Sequence, residues 1–412
     1  MKRVDYIAPL DARDPAYIEN PYPFFERVRA AGPIHRDSLG IWWLTAHADV
    51  KAMLVDKQRV SHDSRNWNLY AQIRPSLADS VLERTVEQWM LTLDPPAHTR
   101  LRALVQKAFT ASASAALTER IGAIAAELVG GLRTQSRFDV MQLVAQPLPV
   151  RVICDLLGLP NEDFATTKVW SDLLVWVLEP SAPWAMKREA DRACTEMLAY
   201  LKERIAAARS APADDLLHQL IEAQEVHDRL SEEELLANLV LLFIAGHETT
   251  TNLIGNGLLA LLRHPDQLTR LRNDPSLIEG AVDELLRYDG PVTLLPRVAV
   301  QPIEIAGQTI QPGDLMHLVV GAAHRDPEVF ADPARLDITR SPNPHLAFGA
   351  GIHYCLGAPL ARIEAAIALR TLLETFPMLR VAEGRVRWRA LTTLRGLDQL
   401  ELATDAATLP TA

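Results

Sequence analysis

One cysteine near the end of the chain stands in a setting that suits chemistry. Cys355 belongs to FGAGIHYCLG, residues 348 to 357, in which three glycines allow the backbone to turn sharply. The residues after this loop predict a helix, whose apolar face consists of Leu356, Leu360, Ile363 and Ile367. Because the dipole and free N–H groups of a helix N-terminus favour an anion, this position predicts a thiolate at Cys355.

Two other roles for this thiol stay open on the residues alone. A lone cysteine is most often a buried structural residue. A nucleophile with His353 as its base is the second alternative. Side chains two residues apart need not face each other, however, and no Gx(S/C)xG elbow precedes the helix.

A second unusual segment is AGHETTTN, residues 245 to 252, in the middle of a long apolar stretch. Glycine, at a cost of about 1 kcal/mol, and β-branched threonine are both poor residues for a helix interior. The hydroxyl of Thr249 can donate to the carbonyl of Ala245, four residues back, which would open a polar notch with Glu248 beside it. A polar stripe that faces solvent is the alternative interpretation.

A long helix must position this segment. Ser231 and Glu234 form a capping box at its start, and Pro265 marks its end, which gives about 50 Å at 1.5 Å per residue. Residues 235 to 245 are apolar on nearly all sides, which indicates burial. Polar residues interrupt the run before it reaches the roughly 18 apolar residues of a membrane span, so we expect no membrane anchor.

The rest of the chain predicts a mainly α protein with a minor β part. Apolar residues recur at helical spacing in most segments, with Asp, Pro or Gly at the joints. Residues 34 to 46 predict a hairpin, and residues 303 to 320 predict strands separated by turns. No linker, charge block or repeat divides the 412 residues, so we expect a single domain from residue 1 to 412.

Composition excludes several classes of function. The three cysteines form no CxxC pair, which argues against a disulfide framework or a structural zinc site. The N-terminus has no apolar run of a signal peptide, and we expect a cytoplasmic protein. The net charge of −10 argues against nucleic acid as a partner.

Several segments, in this order along the chain, resemble motifs of the cytochrome P-450 family. FGAGIHYCLGAPLAR is similar to its haem-binding loop, and AGHETT to its oxygen-binding helix. The other segments that resemble family motifs are LDPPAHTRLRALVQKAF (93 to 109), the ExxR pair Glu284 and Arg287, AHRDP (323 to 327) and FADPARLD (330 to 337). The cysteine loop is highly specific, ExxR alone is weak, and the set covers essentially the whole chain. The resemblance implies the P-450 fold, as a single large haem domain of the soluble bacterial type.

The resemblance also implies the cofactor, haem b (iron protoporphyrin IX), and dioxygen as co-substrate. The implied haem-binding residues are His98, Arg102, Ala245, Gly246, Arg297, Phe348, His353, Cys355 and Gly357. Cys355 would be the iron ligand, and the four basic residues would face the haem carboxylates. Gly246 would leave room for dioxygen, and the catalytic residues Glu248 and Thr249 would deliver protons to it. Glu284 and Arg287 would form a buried network with Arg335 that supports the haem pocket.

The substrate pocket is inferred only by resemblance. It would be lined by residues 64 to 90, 164 to 186, 291 to 295 and 391 to 394, and by the helix before Gly246. The pocket residues chosen from these segments are Trp89, Leu242, Val292, Leu294 and Thr393. An aromatic-rich lining suits a hydrophobic organic molecule, although tryptophans are more often plain core residues.

The function implied is a haem-thiolate monooxygenase that inserts one atom of dioxygen into a hydrophobic small molecule. The chain is too short to include a fused reductase, so we expect it to take electrons from a ferredoxin or flavodoxin and its reductase. We also expect a monomer. Arg100, Lys107 and Arg362 are expected as exposed cations of the docking face around Cys355. A peroxide-driven or oxidative-coupling enzyme, and a haem-thiolate sensor without turnover, are the alternatives.

Overall fold

The computed structural model describes residues 14–73, 79–160, 163–179, 182–210, 215–225 and 230–404. The helices in these ranges are α1 (Pro15–Glu19), α2 (Tyr22–Ala30), α3 (His47–Val55), α4 (Tyr70–Ile73), α5 (Val81–Val86), α6 (Ala97–Val105), α7 (Ala111–Ala116), α8 (Thr118–Gly130), α9 (Pro147–Leu157), α10 (Phe164–Leu174), α11 (Trp184–Ala208), α12 (Leu216–Glu225), α13 (Glu232–Arg263), α14 (Pro265–Asn273), α15 (Ile278–Asp289), α16 (Val320–Ala323) and α17 (Ala358–Thr375). The strands are β1 (Ile34–Arg36), β2 (Trp42–Leu44), β3 (Val60–Ser61), β4 (Arg137–Asp139), β5 (Leu294–Ala299), β6 (Ile303–Ile305), β7 (Gln308–Ile310), β8 (Leu315–Val319), β9 (Arg380–Trp388) and β10 (Leu397–Ala403). The predicted fold class, mainly α with a minor β part, is confirmed.

The strands form three small sheets. The largest has the order β1-β2-β8-β5-β3, the second β4-β10-β9, and the third is the hairpin β6-β7. Both predicted β regions are present, since β1 pairs with β2 antiparallel and residues 303 to 320 contain β6, β7 and β8. The turn between β1 and β2 contains Gly40 at φ 82°, a left-handed conformation that glycine adopts without strain.

Helix α13 is the long central helix that the sequence predicts. It runs for 32 residues, and the side chain and backbone of Ser231 exchange hydrogen bonds with Glu234 in the expected capping box. Most of its residues from Leu235 to Leu261 are buried. In the described ranges, no helix combines the length and the apolar character that crossing a membrane requires.

The main core lies around α13 and joins helices α8, α9, α11, α15 and α17. The predicted apolar face of α17 is only partly right. Leu360 is buried, but Leu356, Ile363 and Ile367 are only partly so, and the most deeply buried side chains of α17 are Ala358, Glu364, Ala365, Ala368, Leu369 and Leu372. Three of these six residues are alanines, whose small side chains allow α17 to lie close to its neighbours.

Candidate functional site

The loop before α17 holds the thiol of Cys355 against the start of that helix. The backbone N–H of Cys355 donates to the carbonyl of Phe348 at 2.8 Å, which closes the loop. Gly351 has φ 72°, and a Cβ on it would lie 2.7 Å from the carbonyl oxygen of Leu54, so only glycine fits there. The backbone N–H groups of Gly357 and Ala358 donate to the sulfur. The predicted contact between the thiol and a helix N-terminus is therefore present.

The surroundings of Cys355 are those of a thiol that faces an internal space. Its side chain is accessible, yet enclosure by the protein raises its pKa above the usual value. The N–H groups of Gly357 and Ala358 and the charges of Arg102 and Arg362 act in the opposite direction and favour the thiolate. This combination suits a sulfur that becomes anionic when it binds a cation.

The other two cysteines lack such a setting. Cys154 and Cys194 are fully buried, and burial raises the pKa of their thiols to about 12 and about 11. Cys154 lies on α9 and Cys194 on α11, within the main core. These two are structural residues, whereas Cys355 is accessible and has N–H donors.

Three imidazoles stack beside the cysteine loop. The rings of His62 and His353 lie 3.3 Å apart, nearly parallel, and the ring of His98 lies 4.0 Å from that of His353. Burial lowers the pKa of all three, that of His353 to about 2, and neighbouring Arg297 or Arg102 lowers each further. Burial also lowers the pKa of Arg297 to about 9.

Several nitrogen atoms in this group have no hydrogen-bond acceptor. Within the described ranges, His98 Nδ1, Arg297 Nε and His353 Nε2 are buried and unpaired. Among the described residues, the carbonyl of Tyr354 is the one acceptor of Arg102, at 2.7 Å. Buried donors are normally satisfied, so this group of donors is complementary to a ligand with carboxylates, such as the propionates of haem. Because of these unpaired nitrogen atoms, the residues present fit a haem.

His62 is a member of this group that the sequence did not reveal. Its backbone N–H donates to Asp94 at 3.0 Å, and its ring Nδ1 donates to the carbonyl of Leu91 at 3.2 Å, so Nε2 of the neutral ring is an acceptor and becomes a donor only when the ring is protonated. The residue directly follows β3, far from the cysteine loop in sequence. The segment SHDSR carries no motif that would have distinguished it from a surface histidine.

The middle of α13 has the hydrogen bond expected of a polar notch. Thr249 Oγ1 donates to the carbonyl of Ala245 at 3.0 Å. Ala245 is exposed although Phe243, Ile244 and His247 around it are buried, so the helix borders a space at this point. The backbone nevertheless stays α-helical throughout. A stripe facing solvent is excluded, because Glu248 is only 1% exposed.

Two residues of this helix make contacts that the sequence did not predict. A Cβ on Gly246 would lie 3.0 Å from Cδ1 of Ile153, so the missing side chain allows α13 to pack on α9. Gly246 therefore has a role in helix packing, and its expected role beside dioxygen stays a prediction. Glu248 does not lie free beside Thr249, because its Oε1 accepts hydrogen bonds from Arg389 and, at 3.1 Å, from Asn252.

The ExxR pair is a buried ion pair, but its partner differs from the predicted one. Arg287 donates to both oxygens of Glu284 at 2.8 Å, and neither side chain has any exposed surface. Arg335 is exposed and contributes only its backbone carbonyl, 3.0 Å from Arg287 Nη2. The second guanidinium on Glu284 belongs to Arg340, at 3.1 Å. The prediction for Arg335 is therefore wrong, because the chain turns Arg335 outward and brings Arg340 back.

Three of the predicted pocket segments meet in one cluster. Val292 packs against Val175, Leu391 and Leu394, which joins the end of the α10 region to residues 291 to 295 and 391 to 394. Thr393 is partly exposed beside them.

The remaining pocket choices lie in the core. Trp89 and Leu242 belong to the main core, where Trp89 has no exposed surface. Leu294 packs in a separate cluster with Tyr17, Phe25 and Trp43. We therefore do not assign Leu294 to the pocket.

The expected cationic docking face is weaker than predicted. Arg100 forms a bidentate ion pair with Glu234, and Arg362 pairs with Asp283 at 2.8 Å. Their charges are neutralised locally, so they do not present a free basic patch. The side chain of Lys107 lies outside the described part of the chain.

Comparison with known proteins gives concordant results. The family model described as Cytochrome P450 matches residues 40–389. The curated protein Cytochrome P450 monooxygenase PikC of Streptomyces venezuelae is 42% identical over 396 residues, covering 94% of this chain and 91% of that protein. Vitamin D(3) 25-hydroxylase of Pseudonocardia autotrophica is 41% identical over 389 residues, covering 93% of each.

A solved structure gives the same result at the level of the fold. P450BioI, crystallised in complex with hexadec-9Z-enoic acid ligated acyl carrier protein, superimposes with a TM-score of 0.87 at 36% identity. The match covers 95% of this chain and 100% of that chain.

Proposed function

The chain belongs to the cytochrome P450 family, and from that premise we propose that it inserts one atom of dioxygen into a hydrophobic small organic molecule with electrons from a separate protein. The P-450 fold and a monooxygenase activity follow from the family, as do a haem-iron cofactor and the use of dioxygen. The observation that carries the proposal is the accessible thiol of Cys355, which accepts two backbone N–H groups at the start of α17.

The residues of the site would divide the work of holding haem b. Cys355 would bind the iron, and Phe348 and Gly357 would shape its loop. His98, Arg102, Arg297 and His353 would bind the carboxylates. We add His62 to them because it stacks on His353, and because its Nε2, which has no partner among the described residues, would donate to a carboxylate once the ring is protonated. A thiolate-bound haem iron, when present, supplies the electron density that favours cleavage of an O–O bond.

The residues of α13 would manage protons beside the haem. Thr249 would present its hydroxyl to the space next to Ala245, where the hydrogen bond to the Ala245 carbonyl fixes its orientation. Glu248 would supply protons to that hydroxyl through water, as general acids do when the distance is too long for direct transfer. In this structure its Oε1 accepts a hydrogen bond from Arg389.

A hydrophobic substrate would contact the cluster around Val292. Val175, Leu391 and Leu394 give this cluster an apolar surface, with Thr393 as a polar group. The names of the relatives indicate a broad range of substrates, since one is a vitamin D(3) hydroxylase and one was crystallised with a fatty-acyl carrier protein. We propose a hydrophobic organic molecule and a ferredoxin or flavodoxin as electron donor.

The proposal is tested in two steps with purified, haem-loaded protein. Small-molecule libraries are first screened for a shift of the haem spin state, and compounds that shift it are then incubated with NADPH, ferredoxin and ferredoxin reductase. We expect an oxygenated product that requires dioxygen. A protein that consumes no NADPH with any spin-shifting compound would instead be a sensor or binding protein.

The ligand assignment has its own control. Cys355→Ser should lose the thiolate-type ferrous CO spectrum, because it removes the accessible sulfur at the helix start. Cys154→Ser and Cys194→Ser should keep this spectrum, because both thiols are buried in the core. An unchanged spectrum in Cys355→Ser would refute the assignment.

A further inference from the structure

A cleft lies where α1 and α2 meet the C-terminal ends of α13 and α15. It has a volume of about 630 Å³, which is within the range of small-molecule pockets. None of the residues that line it belongs to the haem site, to the polar notch of α13 or to the cluster around Val292. The cleft is therefore separate from the places that the proposed reaction uses.

Buried residues form the floor of this cleft, and exposed residues form its rim. Leu259 and Ala260 give the floor an apolar surface, and Arg325 and Arg395 are its buried cations. The exposed residues of the rim include Ala16, Glu19, Glu26, Arg263 and Ala334. Because solvent and salt screen the charges on the rim, the charges of the floor decide which ligand the cleft favours.

The protein itself satisfies Arg395. Its Nε forms an ion pair with Asp289 at 2.5 Å, and its two terminal nitrogens donate to the carbonyls of Ile18 and Glu19 at 2.9 and 3.0 Å. Asp289 also accepts a hydrogen bond from the hydroxyl of Tyr22 at 2.9 Å. The charges of Arg395 and Asp289 offset each other, so this pair adds no net charge to the floor.

Arg325 is a buried cation whose donors are not all used. It is only 5% exposed, and its Nη2 donates to the carbonyl of Tyr288 at 2.9 Å. Within the described ranges its Nε is buried and unpaired, and no carboxylate forms an ion pair with it. Its guanidinium lies over the rings of Tyr22 and Tyr288, at 4.1 and 4.5 Å. These cation–π contacts favour the charge, but they leave the N–H group of Nε without an acceptor.

The other polar residues of the AHRDP segment have partners in the protein that explain their burial. The ring Nε2 of His324 accepts from the backbone N–H of Leu346 at 2.8 Å, and the carboxylate of Asp326 accepts from that of His47 at 2.8 Å. Arg325, between them, instead lines the cleft. Buried charges and buried donors are normally paired, so this guanidinium is complementary to an anion.

We propose that this cleft binds a small organic carboxylate with a compact apolar body. The carboxylate accepts the unused N–H group of Arg325, and the apolar body packs on Leu259 and Ala260. Because Arg325 gives the floor one positive charge, a ligand with a single negative charge balances it. The site is a second ligand site in addition to that of the substrate, and it does not depend on the reaction at the haem.

The test uses 4-fluorobenzoate as the probe and 4-fluorobenzamide as its uncharged match. Each is titrated into the full-length, haem-loaded protein, and binding is followed by fluorine NMR. We expect the benzoate to bind about tenfold more tightly than the amide, because only the benzoate offers an anion to Arg325. Arg325→Gln should weaken binding of the benzoate about tenfold and remove the preference for it over the amide.

Variants at two exposed positions keep the test independent of any effect of Arg325→Gln on folding. Ala334→Trp places a large side chain on the rim of the cleft, so binding of the benzoate should be lost while the thiolate-type CO spectrum stays unchanged. Ala331→Trp is the matched control, because Ala331 is also exposed but does not line the cleft, and this variant should bind like wild type. The inference is overturned if the wild-type protein does not bind the benzoate or binds the amide equally well. It is also overturned if Ala334→Trp binds the benzoate like wild type, since the probe would then lie elsewhere, as in the haem pocket.

Discussion

The polar residues around the cysteine loop have unmet hydrogen-bonding requirements that a ligand would meet. Cys355 has N–H donors and nearby guanidinium groups that favour a thiolate, and His98, Arg297 and His353 each keep a buried nitrogen unpaired among the described residues. Leaving a buried donor without a partner costs about 1 to 3 kcal/mol. A ligand with a metal ion and two carboxylates removes these costs together, which is why a haem fits both halves of the site.

The first residue to test in α13 is Thr249. Thr249→Ala removes the hydroxyl that lies beside the space at Ala245, so we expect the product formed per NADPH to fall about tenfold, with hydrogen peroxide making up the difference. Product and peroxide are measured together with NADPH consumption. Thr250→Ala is the matched control, since Thr250 makes the same type of hydrogen bond to Gly246 but is buried. Equal losses in the two variants would count against a special role of Thr249.

The assignment of His62 to the haem carboxylates predicts its effect on haem retention. His62→Phe keeps a ring on His353 but removes the ring nitrogens, so haem should dissociate to an excess of apomyoglobin about tenfold faster, as expected for one lost hydrogen bond to a charged group. His35→Phe, on β1, controls for the loss of a partly exposed histidine. A dissociation rate unchanged by His62→Phe would limit the role of His62 to packing.

Helices and strands could be predicted where residues close together in the sequence determine them. The capping box of Ser231 and Glu234 lies within four residues, and the hairpin of β1 and β2 within eleven, so both are determined by neighbours in sequence. The packing role of Gly246 could not be predicted from the sequence, because it depends on Ile153 of another helix. Arg335 and Arg340 are equally plausible partners of Glu284 by residue type, and only the path of the loop between them decides.

That loop gives a prediction about the support of α15. Arg340→Gln removes one guanidinium from the buried carboxylate of Glu284, so we expect the free energy of unfolding of the haem-loaded protein to fall by about 2 kcal/mol. Arg335→Gln should change it by less than about 0.5 kcal/mol, because that side chain is exposed and its carbonyl is retained. Urea unfolding measures both, and a larger effect of Arg335→Gln would restore the arrangement expected from the sequence.

For the molecule as a whole, charge is distributed unevenly. The chain carries a net charge of −10, yet the group around His353 combines three histidines and two arginines. Within the described ranges, Asp94 is the one carboxylate that contacts this group, through His62. Positive and titratable groups are thus concentrated where the cofactor carboxylates would bind, while acidic groups dominate elsewhere. The overall charge therefore gives no guide to the electrostatics of the site.

This distribution predicts how removal of haem changes the response to acid. Burial lowers the pKa of His62 and His98 in the folded chain below the value of about 6.5 in an unfolded chain, so the unfolded state binds more protons. The stability of the haem-free protein should therefore fall as the pH is lowered below about 6.5. Bound carboxylates favour the protonated histidines, so the haem-loaded protein should lose less stability over the same fall in pH. The midpoint temperatures of unfolding, measured between pH 7 and pH 5, test this prediction. The same change of midpoint with pH in the haem-free and haem-loaded proteins would contradict it.

The order of strands in the large sheet has a consequence for the timing of synthesis. Strand β2 lies parallel to β8, and β3 lies beside β5, so the N-terminal strands join partners made near the end of translation. Pairing over such a sequence separation is slow, because a long segment must close before the contact forms. Since His62 follows β3 and Arg297 lies on β5, the two sides of the carboxylate site meet only when most of the chain has left the ribosome. We therefore expect haem capture to be a late event in synthesis.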